Sequence, residues 1–538
     1  MTAALRAMSW RRAWWFGFLG SVVLTLCSHC VGATRARGGV MQWLGLSALT
    51  FGHAAGLLIA VMWLAIGSIL ISWIVVGGHI LRRGRELSLG MVAGWTAPLT
   101  LAGPLMSRDV YSYLMQGTLA RDHINPYTHG AAANPGPLLF EVSADWRNTT
   151  TPYGPLHLWL GQAITTVVGD NVTLGVLAYK ALSLGSFAAL AWGVARLARQ
   201  FGTKPSVAVW LGVANPLSIL HLVGGMHNEV TMMALVVLGL YAGVRLRPLR
   251  GAAAGVALIA IGTALKATAV VGLPFLVWIT VSRLAGNAPS GLFREHRNRL
   301  VALLGVGLGS TALLLAIVEA ITLASGQSWQ WLATVAGNTK VVNPLSLSSA
   351  VASTLQPPLS QFDDDITFNL ILGYVRPATT AALGMGLVAA WWVFRRTPRE
   401  ALKGATLAYL LTCIFNAVVL PWYYAPLVAL LGVWVSRRWM VFFTAWGSMA
   451  MCMMFDGGGD NRLYEPSWVL FILVVTWLMA RACLGYRPGK PEAETDLWTP
   501  SLSLRAHRSP VAVPASAGAS LSASLPRPRA ELSSPPTS

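Results

Sequence analysis

The sequence predicts an all-α, polytopic integral membrane protein, on the strength of its composition and of apolar runs separated by basic clusters. Of its 538 residues, 55% are hydrophobic and only 11% charged, and the mean hydropathy is +0.58. A soluble chain uses about 25% charged residues to keep its surface wet, so the shortfall places this one in the bilayer. A formal net charge of +19 gathered on one face would suggest nucleic acid. Here Lys and Arg fall instead in short clusters between apolar runs, the pattern of cytoplasmic loops, which argues against a nucleic-acid partner.

Taken in order, the chain opens with Arg6, Arg11 and Arg12 ahead of an apolar run over 14–32. That run has the form of a cleavable signal with a weak cleavage site at Val31-Gly32-Ala33, but it is long enough to stay as an anchor, and we read it so. Since about 20 apolar residues cross a bilayer, further spans are expected at 55–81, 87–106, 172–195, 205–223 and 230–246. A close-spaced pair follows at 251–265 and 268–282, then 300–324, 376–394, 403–420, 422–436, 439–455 and 467–484. The total is about fourteen. Alternating them from a cytoplasmic N-terminus puts every main basic cluster inside: 82–85, 196–204, 245–250, 283–299, 395–403 and 437–438. Arg35 and Arg37 are mild exceptions.

Two long outer loops, about 106–171 and 325–374, are rich in Trp, Tyr, Pro and Asn. They are expected to carry amphipathic helices. Loops longer than about 15 residues are usually functional or disordered, and aromatic content argues against disorder. Function therefore points outward. After the membrane domain of 1–484, Pro, Ser, Ala and Arg dominate, which predicts a disordered cytoplasmic tail over 485–538. The five cysteines form neither a zinc pattern nor a disulfide framework. Cys27-Ser28-His29-Cys30 lies in an apolar segment without a second ligand pair and reads as small polar residues near a helix end.

The polar residues that can carry chemistry form a few groups. Ser107-Arg108-Asp109 opens the first loop, where Asp109 can cap a helix or act on a substrate; Arg108 can pair with it or bind a phosphate. Tyr111 and Tyr113 suit an interfacial belt or a substrate wall. Asn125-Pro126-Tyr127 and Thr151-Pro152-Tyr153-Gly154-Pro155 follow; Tyr127 and Tyr153 sit beside prolines as rigid platforms for a sugar ring, and Asn125 and Asn148 can bind hydroxyls. Between two spans come Asn215-Pro216-Leu217, His221 and Gly224-Gly225-Met226-His227-Asn228-Glu229. Ionisable residues at membrane depth are expensive and usually functional. His221 and His227 are six apart across a Gly-Gly break, not on the i,i+4 face of a zinc helix, so hydrogen bonding to substrate is the better reading and no metal is assigned. Lys266 falls in the turn of the close-spaced pair, where it snorkels or binds an anion. Glu319 and Lys340 lie near the second loop. Asp363-Asp364-Asp365 reads as the acidic start of a helix ahead of a cation site. Trp422-Tyr423-Tyr424 and the turn at 456–462 are belt or substrate wall. No Walker loop, dinucleotide fingerprint or serine-hydrolase elbow is present.

As a set, SRDVYSYLMQG over 107–117, Asn125-Pro126-Tyr127, Pro152-Tyr153-Gly154-Pro155 and NPLSILHLVGGMHNE over 215–229 resemble the GT-C superfamily of membrane glycosyltransferases. They are most similar to the polyprenol-phosphate-mannose-dependent α-(1→6)-mannopyranosyltransferases of lipomannan and lipoarabinomannan assembly. The resemblance extends to about residue 480. It implies a polyprenyl-phosphate-mannose donor, a lipid-anchored mannan acceptor, inversion by a single displacement on the outer face of the cell membrane, and no cofactor. It also implies Asp109 as catalytic base. Arg108, Tyr111, Tyr113, Asn125, Tyr127, Tyr153, His221, His227, Asn228, Glu229 and Lys266 are then expected to bind substrate, with Arg108, His221, His227 and Lys266 as candidates for the phosphate. Many relatives of this superfamily carry a second acid beside the first; here Val110 follows Asp109 and Asp122 is thirteen residues on. Two alternatives stay open: a transferase using a polyprenyl-phosphate pentose, and a lipid-linked sugar flippase, although no inverted repeat of the transporter kind is evident.

Overall fold

A computed structural model describes residues 2–34, 40–285, 292–337 and 342–485. Arg35, Arg37, Lys340 and the tail beyond 485 lie outside the described residues. Among the described residues the chain is helical throughout, with one isolated antiparallel bridge between Phe455 and Asn461.

Eight helices among the described residues are long and apolar enough to cross a membrane: Trp10–Val31, Gly52–Arg83, Val172–Gln200, Pro248–Leu265, Ala267–Ala285, Arg297–Ala324, Phe368–Val393 and Pro466–Leu484. A ninth results if Ser218–Gly224 and Glu229–Arg245, bent by 112°, count as one. The expected fourteen is therefore too many by this measure, and the reason is local. Crossing about 30 Å takes about 20 residues at 1.5 Å each. Several apolar runs fold as short helices, Leu89–Thr96, Pro205–Gly212, Ala425–Trp434 and Arg438–Cys452, with Pro98, Pro216 and Pro421 interrupting the first three runs. The run at 403–420 belongs to Pro398–Phe415, which carries Arg399, Glu400 and Lys403. The close-spaced pair, by contrast, is present as two helices meeting at Lys266.

Short helices of this kind survive because they are wrapped by others. Trp73 and Trp210 stack 4.9 Å apart. Each indole N–H donates to the other's backbone carbonyl at 3.0 Å, which locks Pro205–Gly212 to the long Gly52–Arg83 helix. Past Pro216 the chain forms a π-helical turn, Ser218–Gly224, an arrangement often found at functional sites. A helix end leaves carbonyls without partners. Here the buried Lys180 ammonium, from the Val172–Gln200 helix, donates to the carbonyls of Val223 and Gly224 at 3.0 and 3.1 Å. The Leu105 N–H also donates to the Gly224 carbonyl, at 3.2 Å. The segment before Asp109 and the bend before His227 are thereby tied together.

The first loop is not an amphipathic helix lying over a bilayer. Its helix, Asp109–Arg121, is buried over Val110–Met115 and again over Gly117–Ala120. It packs on Pro155–Val168, and Gly117 permits the approach: a Cβ there would stand 2.3 Å from the Gly161 carbonyl carbon. In the second loop, helices Gln330–Gly337 and Leu347–Leu359 precede Phe368–Val393. The acids Asp363, Asp364 and Asp365 do not open that last helix, as expected from sequence. They form a preceding turn, while the Thr367 hydroxyl accepts the Leu370 N–H at 3.2 Å as the cap. A hydroxyl one residue before the helix reaches the free amides better than carboxylates several residues back.

Candidate active site

Asp109 is the first residue of its helix, but its carboxylate does not cap it. The Ser107 hydroxyl accepts the Asp109 N–H at 3.1 Å, and the cap position, Arg108, makes no side-chain cap. The carboxylate is left available. It faces a cavity of about 870 Å³ whose wall also includes Arg108, Asp145, Asn148, Trp422 and Asp460. Hydroxyl and amide groups of Ser107, Ser143, Thr149, Thr150, Thr334, Asn343 and Asn461 share the wall with Trp146, Trp422 and Tyr464. The Asp109 side chain is 14% exposed. Burial and the nearby Glu229 carboxylate push its pKa up to about 7, against the opposing pull of Lys266 and the Ser107 hydroxyl.

Behind Asp109 lies a buried polar layer. His227 Nδ1 is 3.4 Å from Asp109 Oδ2, and the His227 ring stacks on Trp422, 3.7 Å between centroids and 18° between planes. His221 sits 6.2 Å beyond, its Nε2 3.2 Å from the Cys452 carbonyl. Lys266 reaches in from the turn between its two helices. It donates to Glu229 Oε1 at 2.5 Å and to Asn228 Oδ1 at 3.3 Å, and lies over the rings of Tyr423 and Tyr153, at 4.6 and 5.2 Å. Asn228 contacts His157 Nδ1 at 3.3 Å, and His157 Nε2 contacts Gln116 Oε1 at 3.1 Å. Burial, with Lys266 nearby, lowers the His157 pKa to about 3. A neutral ring donating from Nε2 and accepting at Nδ1 completes the chain. Tyr113, Tyr153 and His157 pack their rings at 4.3 to 5.5 Å.

The backbone at this point is strained in two places. Met106 and Met226, both buried, have φ of +62° and +56°, a region costing a non-glycine residue about 1–3 kcal/mol. The surroundings hold them there: the Met106 N–H donates to the Gly457 carbonyl at 3.3 Å. That turn is itself braced by Arg462, which bridges Asp456 and Glu465 at 2.9 and 2.7 Å.

The structure thus sorts the residues singled out from the sequence. Arg108 and Asp109 line the cavity. Tyr113, Tyr153, His221, His227, Asn228, Glu229 and Lys266 form the layer behind, and Lys266 is already matched by a carboxylate. Three lie elsewhere. The Tyr111 hydroxyl is 2.8 Å from that of Thr34, the Asn125 side-chain oxygen Oδ1 accepts the Tyr127 N–H at 2.9 Å, and the Asn125 side-chain amide donates to Gln330 Oε1 at 2.8 Å. Glu319 accepts from the Trp329 indole at 2.6 Å. Asp122 pairs with Arg121 at 2.7 Å, at the opposite end of the helix from Asp109; the acid close to Asp109 in charge is Glu229. Asp460, in the turn at 456–462 read as belt or substrate wall, lines the cavity. Sequence reasoning missed Lys180, His157 and Asp145. A lysine inside an apolar span was the available signal for Lys180; the other two gave none. Among the described residues, no group of three or more His, Cys, Asp or Glu side chains is placed to hold a metal ion.

Comparison with known proteins accords with this arrangement. A family model described as alpha-(1->6)-mannopyranosyltransferase, N-terminal domain, matches residues 14–282, and one described as MptB C-terminal domain matches 365–485. Alpha-(1->6)-mannopyranosyltransferase A of Corynebacterium glutamicum is 45% identical over 85% of this chain and 95% of its own length. The protein of the same name from Mycobacterium tuberculosis is 33% identical over 88% and 89%. Alpha-(1->6)-mannopyranosyltransferase B of C. glutamicum is 30% identical over 70% and 65%. With a domain model covering half of its length and relatives aligned over most of the rest, the chain belongs to the α-(1→6)-mannopyranosyltransferase family of glycosyltransferases.

Proposed function

We propose that this chain is an inverting mannosyltransferase that moves mannose from polyprenyl-phosphate-mannose to an α-(1→6)-mannan lipoglycan on the outer face of the cell membrane. The observation that carries this reading is the Asp109 carboxylate in the wall of a cavity otherwise built from hydroxyls, amides, aromatic rings, Arg108 and two further acids, Asp145 and Asp460. That is the lining a polyol needs: acceptors and donors for its hydroxyls, and ring faces or edges for its C–H surface. The basic clusters at 82–85, 196–204, 245–250, 395–403 and 437–438 support placing this cavity on the side away from the cytoplasm.

In the displacement, the acceptor hydroxyl attacks mannose C1 and gives its proton to Asp109. The C1–O bond to phosphate breaks on the opposite side, and the polyprenyl phosphate leaves with the bonding electrons. A phosphate is already a good leaving group, so one base is enough. A carboxyl with a pKa of about 7 is a stronger base than an ordinary one, yet is ionised in a useful fraction at neutral pH. Arg108 is the cation in the cavity wall, suited to the developing phosphate charge. Lys266, His221 and His227 stand a layer behind.

Purified protein given synthetic polyprenyl-phosphate-mannose and a short α-(1→6)-mannoside is expected to yield a product one hexose longer, with a new α linkage by NMR. No product with that donor, alongside product from a polyprenyl-phosphate pentose, would overturn the sugar assignment.

A further inference from the structure

The proposed reaction needs one carboxylate oxygen turned to the acceptor, and Asp109 has two. The Asp109 backbone N–H is spent on Ser107, and its side chain is not engaged in capping. The Ser107 hydroxyl contacts its carboxylate, and on its inner side stands the His227 ring. His227 Nδ1 is 3.4 Å from Oδ2, and both ring nitrogens of His227 are buried with no hydrogen-bond partner among the described residues. The ring itself cannot turn freely: it is fully buried, stacked on Trp422 at 3.7 Å, and follows the Met226 backbone held at φ +56°. Trp422 in turn lines the cavity, so one side chain touches both that space and the ring beside Asp109.

We propose that His227 is a positioning residue for Asp109, its Nδ1–H donating to Oδ2 so that Oδ1 is presented to the acceptor hydroxyl. The contact is long for a hydrogen bond and shortens as substrate fills the cavity, in the way catalytic contacts tighten on binding. The proton taken from the acceptor stays on Asp109; His227 neither gains nor loses one. This inference rests on Asp109 being the base.

A donor to a carboxylate favours its ionised form. The other groups facing Asp109 are Glu229, Lys266, Tyr113, Tyr153 and Tyr423, with Arg108 beside it and Asp145 and Asp460 across the cavity. All of them are kept in a His227 series. In His227→Phe the ring shape is kept and the donor lost. We expect kcat to fall about 10- to 100-fold, with KM for donor and acceptor within about twofold. The acid limb of the pH profile moves upward, because the carboxylate has lost a donor. His227→Asn, whose amide N–H can stand near the Nδ1 position, restores most of kcat and returns the limb. The contrary result is His227→Phe and His227→Asn equally impaired with the acid limb where the wild type has it; His227 would then be packing alone. If Asp109→Asn is fully active, the base assignment itself fails; if Asp109→Asn is inactive while His227→Phe keeps wild-type kcat, only the role of His227 fails.

Discussion

Asp109→Asn should lower kcat by about 10²- to 10⁴-fold, the range for losing a positioned general base, with little change in the amount of protein reaching the membrane. The substitution keeps shape and removes only the carboxylate's ability to take a proton. It is not expected to weaken the fold. The Asp109 pKa is raised from 3.8 to about 7 by burial and by Glu229, so ionising it opposes folding. That opposition is absent below about pH 4, grows between about pH 4 and 7, and is complete above about 7. The Asn variant should therefore have a melting temperature equal to or above that of wild type at neutral and alkaline pH. Loss of turnover with stability kept or raised is the signature of a residue retained for chemistry. A variant that is inactive because it no longer folds would show the reverse.

The second large effect is expected behind the cavity. Lys266 and Glu229 meet at 2.5 Å, with side chains 9% and 2% exposed. Removing one member of a buried pair leaves the other charge without compensation, at a cost of about 3–5 kcal/mol. Lys266→Met should therefore lower thermal stability in detergent or nanodiscs by several degrees. It should also reduce activity, because Lys266 is the cation that holds down the Asp109 pKa against Glu229. Lys266→Met combined with Glu229→Gln removes both charges, and should recover much of the stability that the single change loses. Had Lys266 been a phosphate ligand, as its place in a turn suggested, the single variant would raise the donor KM and leave stability nearly untouched. The melting temperatures of the two variants, read beside their donor KM values, separate these cases.

How much of this was legible in the sequence depended on how local the signal was. The helical class, the close-spaced pair meeting at Lys266, and the polar groups at 107–109 and 221–229 that the fold brings together came from composition, charge and polar residues at membrane depth. The number of long apolar helices did not, because hydropathy alone registers Pro205–Gly212 and Ala425–Trp434 within longer apolar runs without showing that the helices span 8 and 10 residues. Burial of the Asp109–Arg121 helix was also hidden, since its close contact depends on Gly117 meeting Gly161, more than forty residues away. Roles at the site were blurred for the same reason. Lys266 looks like an anion binder until Glu229 is placed beside it, and Asn125 looks like a sugar ligand until Gln330 is found on its amide. Trp422 was one of several possible belt aromatics until His227 was found stacked on it. Pairings across the fold, not residue types, decided these cases.

The most direct test of Asp109 as the base is the pH dependence of kcat/KM for the acceptor, which reports ionisation in the free enzyme. The base must be deprotonated to work, so the rate should fall with unit slope below a midpoint near 7, the value to which burial and Glu229 raise this carboxyl, and level off above it. A profile that is flat through neutral pH and falls only near the ordinary carboxylate value of about 4 would contradict the account.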